Sequence, residues 1–328
     1  MVIHTAFCDL LGVEHPIVLG GMAGGQTSAP LAAAVSEAGG LGGMGITGLS
    51  AGQVRESIAA IRAATDKPFL VNFLLFLTAE DAFAAALEEA PPVLSFAWPR
   101  RDQELGPYFE RAHQAGAKVM FMAGEVDEVQ RGAEAGADVI VAQGTEGGGH
   151  VGWMASLPLL PMVVDAVNPL PVLAAGGIAD GRGLAAALAL GAQGVLLGTR
   201  FLATEESPLH GNFKAAILES DGHDTLLSEI PDLASGLVWP GGMARARRNV
   251  FIERWAGREW ELRAQQARAA RELAEAREAG DADNATLYMG QDAGLIHDLP
   301  PAGEVVRRMV EEAAQLLESG LPGLVRRQ

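Results

Sequence analysis

One histidine, His150, stands in a setting suited to acid–base chemistry, directly after three consecutive glycines at residues 147–149. A glycine costs about 0.5–1 kcal/mol of chain entropy relative to alanine, so a run of three is typical of backbone that lies against a flat group or bends sharply. An imidazole can act as a general base or as a hydrogen-bond donor near neutral pH. We therefore predict a catalytic role for His150.

Two further glycine turns suit a phosphate group. One contains Gly176 and Gly177, and the other contains Gly198 and Thr199. Glycine lets backbone N–H groups approach phosphate oxygens closely, a helix N-terminus adds partial positive charge, and the threonine hydroxyl offers one more hydrogen bond. We predict a phosphate site here; the alternative is that these glycines only make tight turns.

A third set of residues suits a planar heteroaromatic ring. Gly21, Met22 and Ala23 lie in a glycine-rich turn, while Asn72 and Gln143 carry carboxamides late in apolar segments. Backbone amides and carboxamides match a ring that has donors and acceptors along one edge. A ring of this kind on a phosphate tail indicates FMN as the cofactor.

Eight apolar segments would position these residues. Their starts recur about every 20–30 residues, the length of one strand, one crossover helix and two loops. This pattern predicts an α/β fold, a (β/α)8 TIM barrel, in preference to an open doubly wound sheet. In such barrels the chemistry lies after the strands, and phosphate is often held by the loops after strands 7 and 8. The predicted strands are 16–20, 40–44, 69–73, 93–98, 118–122, 139–143, 171–175 and 194–198.

The segments between these strands have helical patterns, for example at residues 28–38, 50–64 and 125–135. Their ends share one feature, a glycine suited to the left-handed conformation that turns the chain back into a strand. These glycines are Gly39, Gly116, Gly136 and Gly191.

After Phe201 the pattern changes, which indicates an added C-terminal helical subdomain. We assign residues 1–210 and about 290–328 to the barrel, and about 211–289 to a helical lid. Residues 254–278 have the pattern of one charged helix, and 301–318 that of a last helix. The preceding Arg245, Arg247 and Arg248 are solvent-exposed in one interpretation and meet an anionic cofactor tail in another.

Composition excludes several other classes of protein. The chain has 328 residues with 24 Lys and Arg against 41 Asp and Glu, a net charge of −17, and this acidity opposes binding to nucleic acid. The single Cys8 and the spacing of the seven histidines give no disulfide and no metal site. No apolar run reaches the roughly 20 residues of a membrane span, and no leader segment is evident. We expect a cytoplasmic protein that binds a small molecule and not a membrane; a homodimer is compatible with the sequence.

These residues resemble the nitronate monooxygenases, formerly called 2-nitropropane dioxygenases, a family of FMN-dependent barrels. The resemblance spans nearly the whole chain and is carried by residues 15–17, 20–22, 38–42, 71–72, 143–150, 175–181 and 198–201. It implies that His150 lies beside the flavin N5, and that residues 290–294 return to the active site from the subdomain. The residues it implies for FMN are Gly21, Met22, Asn72, Gln143, Gly148, Gly177, Gly198 and Thr199.

The resemblance implies oxidation of alkyl nitronates with O₂, in which electrons pass from the bound anion to the flavin and then to oxygen. His150 would position or deprotonate the substrate. Two sister groups, NADH:quinone reductases and flavin-dependent enoyl-acyl-carrier-protein reductases, share the scaffold. An NAD(P)H-dependent reductase of quinones or enoyl thioesters is therefore the alternative, and a third hypothesis is a non-catalytic barrel that binds a phosphorylated metabolite.

Three positions depart from the family pattern and leave the substrate open. Gly147 stands where the family often has Ala, and Phe213 where a Tyr is common. Met122 stands where some relatives carry a polar or basic residue near the flavin. The last two departures change the polarity of the pocket.

Two glycine motifs suggest other chemistry and are rejected. Residues 43–48 match a dinucleotide fingerprint, but the next predicted strand has no acidic residue at its end. Residues 48–52 match a nucleophile elbow, yet Ser50 is more simply the N-cap of the following helix.

Overall fold

A computed structural model describes residues 3–320 and 322 of the chain. Within these residues the strands are β1 (Ile17–Leu19), β2 (Gly42–Gly45), β3 (Phe69–Leu74), β4 (Val93–Ala97), β5 (Lys118–Ala123), β6 (Val139–Gln143), β7 (Gly149–Val151), β8 (Val172–Ala175), β9 (Gly194–Leu197), β10 (Thr225–Ser228) and β11 (Met243–Arg247).

The helices alternate with the strands in the first two thirds of the chain and predominate afterwards. In the described residues they are α1 (Ala6–Leu11), α2 (Ala29–Glu37), α3 (Ala51–Ala64), α4 (Glu80–Glu89), α5 (Gly106–Gln114), α6 (Val126–Glu134), α7 (Ser156–Val167), α8 (Gly181–Ala189), α9 (Thr199–Leu202), α10 (Gly211–Leu218), α11 (Ile230–Ser235), α12 (Val250–Trp255), α13 (Glu259–Ala264), α14 (Gln266–Glu278) and α15 (Ala302–Gln315).

Eight strands form a parallel sheet in the order β1-β9-β8-β6-β5-β4-β3-β2. The two ends of this order meet at Leu41: its N–H donates to Ile17 O and its carbonyl accepts from Leu19 N–H, both at 2.9 Å. The sheet thus closes into the predicted TIM barrel. Each predicted strand overlaps an observed one, and β2 shows the largest shift because it begins at Gly42 rather than residue 40.

Alternate side chains of the strands pack into two separate cores, as a period of two requires. Ile17 and Leu19 belong to the core shared with the surrounding helices. Val18 instead packs in an inner core that also contains Phe7 and Leu11 of α1. Because Val93 and Val139, the first residues of β4 and β6, lie in that same inner core, α1 covers the amino end of the barrel. Helix α1 therefore does not cover the opposite end of the barrel, where the carboxyl ends of the strands lie.

The helix boundaries follow the capping signals in the sequence. The predicted glycines are left-handed, with φ of 87° at Gly39, 84° at Gly116, 101° at Gly136 and 95° at Gly191. Ser50 caps α3 in a capping box with Gln53, which confirms the interpretation of this serine as an N-cap.

The last helix, α15, packs against α8 and α2 and completes the outer layer of the barrel. A short π-helical turn, Leu316–Gly320, follows it. The barrel domain was predicted to extend to residue 328; residues 1, 2, 321 and 323–328 lie outside the described residues.

Residues 211–289 carry the helices α10 to α14 together with two strands that the sequence did not predict. β10 and β11 pair antiparallel, and β11 also pairs with β7, which places Ala244 opposite His150. The prediction of one helix over 254–278 is wrong, because Gly257 has φ of 76° and the segment divides among α12, α13 and α14. None of the described helices combines the length and the apolar character needed to cross a bilayer.

Candidate functional site

A cavity of about 480 Å³ lies at the carboxyl ends of the barrel strands, within the usual size range for small-molecule sites. All the residues to which the sequence assigned a catalytic or cofactor-binding role line this one cavity. They are Gly21, Met22, Ala23, Asn72, Gln143, Gly148, His150, Gly176, Gly177, Gly198 and Thr199. The structure therefore brings the predicted residues together, while their binding roles remain predictions.

Polar side chains on the cavity wall lack partners within the described part of the chain. The carboxamides of Asn72 and Gln143 and the hydroxyl of Ser95 make no hydrogen bond to any of residues 3–320. Asn72 and Ser95 are nevertheless only 6% and 4% exposed. Since buried polar groups in proteins are nearly always hydrogen-bonded, these groups are available to a ligand.

The glycines of the site differ in what they permit. A Cβ on Gly21 would lie 2.5 Å from Asn72 Cβ, and one on Gly176 would lie 2.8 Å from the carbonyl oxygen of Gly144. Gly176 and Gly177 also have φ of 90° and 74°, where side chains are disfavoured. Close packing therefore requires glycine at Gly21 and Gly176, and the left-handed backbone conformation favours glycine at Gly176 and Gly177. Without side chains at these positions, the main chain itself forms the cavity surface.

Thr199 joins the last barrel loop to the segment that returns from the subdomain. Its hydroxyl oxygen accepts from the backbone N–H of Gly290 at 2.9 Å. The N–H of Gly177 donates to no acceptor among residues 3–320, so it is free to bind an anion. Asp292 lies on the same wall, and burial raises the pKa of its carboxyl to about 7, although the Thr199 hydroxyl and Arg200 favour the charged form.

His150 lies on β7 and is held on two sides. Its Nε2 lies 2.9 Å and 3.0 Å from the two carboxylate oxygens of Asp232 on α11. The indole of Trp239 stacks on the imidazole with ring centroids 3.3 Å apart and planes 4° apart. The predicted histidine is therefore rigidly placed at the edge of the cavity.

Four residues of the site were missed by the sequence reading: Trp98, Asp232, Trp239 and Tyr288. Trp98 carries one signal, a φ of 56° that is rare outside glycine and typical of strained functional positions, but it is visible only in coordinates. Burial, reinforced by Asp232, raises the pKa of Tyr288, which keeps this cavity-lining phenol protonated. No spacing in the sequence links these residues to His150.

Other predicted features have structural explanations. Met122 lines the cavity as expected, whereas Phe213 packs in a separate apolar cluster with Ile217. Arg245 is buried and donates to Thr145 O and to the Thr225 hydroxyl, so it supports the sheet rather than a cofactor tail. No group of three or more potential metal ligands exists among the described residues.

The fold and the cavity place the protein among the TIM barrels that carry a small-molecule site at the carboxyl ends of their strands. A family model described as nitronate monooxygenase matches residues 4–94 and 83–312, so the chain belongs to the nitronate monooxygenase family. The resemblance inferred from the motifs is thereby confirmed. Members of this family are flavoenzymes, and the protein is an oxidoreductase, which leaves the non-catalytic barrel without support.

Similar proteins include two curated relatives and one solved structure. A nitronate monooxygenase of Pseudomonas aeruginosa is 34% identical, with 93% of this chain and 98% of the relative aligned. A (3aS,4S,5R,7aS)-5-hydroxy-7a-methyl-1-oxo-octahydro-1H-indene-4-carboxyl-CoA dehydrogenase of Mycobacterium tuberculosis is also 34% identical, over 97% of this chain and 98% of the relative. FabK from Thermotoga maritima superimposes with a TM-score of 0.87 and 37% identity, covering 98% of this chain and 100% of that chain.

Proposed function

We propose that the protein binds FMN and oxidises alkyl nitronates with O₂. The observation that carries this proposal is the convergence of the His150 loop and the two glycine turns on a single cavity whose carboxamides have no partners in the described protein. The membership of the nitronate monooxygenase family supports the same activity.

The residues of the cavity fit FMN from ring to phosphate. Asn72 and Gln143 would hydrogen-bond the donor and acceptor edge of the ring, and the N–H of Gly177 would contact the phosphate. Below about pH 7 the Asp292 carboxyl is neutral, so it does not repel a phosphate at this end. Bound FMN would supply the electron acceptor and return the electrons to oxygen.

His150 would act on the substrate in one of two ways. A cationic imidazole would attract and orient a nitronate anion, and a neutral imidazole would remove a proton from a neutral nitroalkane. The two roles predict opposite pH profiles. Turnover of a nitronate would fall as the imidazole loses its proton, and turnover of a nitroalkane would rise.

The substrate test uses the visible absorbance of the purified protein. Under anaerobic conditions we expect propyl-2-nitronate to bleach the flavin bands and NADH to leave them unchanged. A spectrum bleached by NADH and unaffected by the nitronate would refute the proposed reaction.

Replacing the histidine tests its role. His150→Asn should keep bound FMN, because the cofactor is held by other residues, while turnover falls by roughly 10²–10⁴-fold, the usual contribution of general acid–base catalysis. Flavin content per chain and steady-state turnover are the measurements. Unchanged turnover would exclude the role assigned to His150.

A second candidate is an NAD(P)H-dependent reductase of enoyl thioesters or quinones. It is supported by the carboxyl-CoA substrate in the name of the Mycobacterium tuberculosis relative and by the apolar wall of Trp98, Leu237 and Trp239, which suits a substrate larger than a nitroalkane. Reduction by NADH followed by reoxidation with an enoyl thioester or a quinone would establish it.

A further inference from the structure

We propose that Asp232 is the positioning residue of His150, holding the imidazole in the tautomer that carries hydrogen on Nε2 and leaves Nδ1 for the substrate. This inference rests on the proposed function, in which His150 acts on the substrate. It adds a residue from outside the barrel, 82 positions along the chain, to the acid–base machinery.

The contact between the two side chains fixes which nitrogen is protonated. Both carboxylate oxygens of Asp232 lie within hydrogen-bond distance of Nε2, at 2.9 Å and 3.0 Å. An ionised carboxylate only accepts hydrogen bonds, so Nε2 must donate. In a neutral imidazole the lone pair is then on Nδ1.

In the described residues, the ion pair of Asp232 is with His150. Its side chain is 7% exposed and that of His150 is 9% exposed. Within residues 3–320 no arginine or lysine forms a salt bridge with this carboxylate, and its charge contributes to the raised pKa of the nearby Tyr288 phenol. A buried carboxylate without a cationic partner is unfavourable, so its place here is explained by what it does to the imidazole.

The stacked indole of Trp239 fixes the plane of the same ring. Its centroid lies 3.3 Å from that of the imidazole, and Trp98 approaches edge-on at 6.4 Å. With the plane set by Trp239 and one nitrogen held by Asp232, the direction of Nδ1 is determined. Nδ1 has no partner among residues 3–320 and is not sealed in the protein interior.

The arrangement serves both protonation states of the histidine. When His150 is neutral, Nδ1 can take the proton from the α-carbon of a nitroalkane, and the electron pair of the broken C–H bond moves into the nitro group. When His150 is cationic, Nδ1–H can donate to an oxygen of a nitronate. Asp232 accepts from Nε2–H in both cases, so its effect does not depend on which substrate form is used.

The test compares three variants of the flavin-loaded protein. In Asp232→Asn the amide can donate to Nε2, which favours hydrogen on Nδ1 and removes the lone pair from the substrate side. We expect full flavin content, similar KM and a kcat lower by roughly 10²–10⁴-fold for deprotonation of a neutral nitroalkane. Asp232→Glu restores an acceptor and should recover part of kcat. Asp283→Asn is the matched control: it removes the same charge from the same subdomain at a side chain that is 70% exposed, and should not change kcat.

The ring nitrogens give a readout that a purely structural role would not move. In ¹⁵N spectra of histidine-labelled protein we expect hydrogen on Nε2 of His150 in the wild type and on Nδ1 in Asp232→Asn. Wild-type kcat in Asp232→Asn, together with an inactive His150→Asn, would overturn the positioning role and leave the proposed function intact. An active His150→Asn would instead remove the role of His150 on which this inference rests, whereas the proposed oxidation of nitronates is tested separately by the anaerobic bleaching of the flavin. If Asp232→Asn does not fold, the ¹⁵N spectrum of the wild type alone tests the proposal. A neutral His150 without hydrogen on Nε2 would contradict it.

Discussion

Asp292 is a buried carboxyl on the cavity wall, and burial raises its pKa from the usual 3.8 to about 7. The folded state therefore holds a proton that the unfolded chain releases between these two pH values. The free energy of unfolding must fall as the pH rises from about 4 to about 7, and it becomes independent of this group above that range.

Asp292→Asn removes this dependence because the amide is neutral at every pH. The difference in Tm between the variant and the wild type should therefore increase by a few degrees in favour of the variant from pH 5 to pH 8. The reason is that the wild type alone must either keep a proton on this buried carboxyl or bury its charge. Thermal unfolding at a series of pH values measures the difference. Asp102→Asn, at an exposed position, is the control and should follow the wild type; equal slopes for all three proteins would contradict the assignment.

The residues missed from the sequence share a physical reason. Trp239 and Tyr288 reach His150 only because residues 211–289, to which both belong, fold back over the cavity, and no local spacing encodes that contact. Trp98 fills the space over Gly242, where a Cβ would lie 2.3 Å from its ring. The glycines and His150 were predictable because turn chemistry is local, whereas these contacts depend on tertiary packing.

At the scale of elements, the loop after β6 packs directly on the returning segment. A Cβ on Gly148 would lie 2.5 Å from the carbonyl carbon of Met289 and 2.6 Å from the backbone nitrogen of Gly290. These are backbone atoms that cannot rotate away, so the two segments must separate to admit a side chain.

Gly148→Ala should therefore lower the free energy of unfolding by about 1–3 kcal/mol, the usual cost of overpacking, and weaken flavin retention. Gly52→Ala is the control: apart from the adjoining chain and the backbone of its own helix, no atom lies within 4 Å of its added Cβ, and alanine favours the helix α3. Denaturant unfolding and flavin content after dialysis measure both effects. A Gly148→Ala protein as stable as Gly52→Ala would show that the loop packs differently.

Elements were predictable from the sequence where one periodicity prevails. The barrel strands are continuous apolar runs, since both their faces are covered, and the helix ends carry left-handed glycines. β11 was not predicted because Ala244 and Ala246 alternate with Arg245 and Arg247, so the segment lacks large apolar residues and has a basic composition, although Arg245 is itself buried. Gly257 was overlooked as a break because the charged pattern continues on both sides.

At the scale of the whole molecule, the barrel and the subdomain share a sheet. β7 leaves the barrel loop and pairs with β11, so the subdomain does not rest on the barrel through side chains alone. We expect one cooperative unfolding transition, since the hydrogen bonds between β7 and β11 persist only while both parts are folded.

Hydrogen exchange can check this expectation. Amides of β11 in the subdomain and of β8 in the barrel should exchange with similar opening free energies, because both open only in global unfolding. Much faster exchange in β11, at a free energy several kcal/mol lower, would mean that the subdomain opens independently.

The pairing of the histidine-bearing strand with the added sheet also bears on how this scaffold can diversify. A chimera that takes residues 211–289 from a relative would replace three contacts of His150 at once. These are the carboxylate of Asp232, the indole of Trp239 and the strand β11 that pairs with β7. Under the roles proposed for His150 and Asp232, a change in this segment alters the substrate contacts and the protonation of the imidazole together.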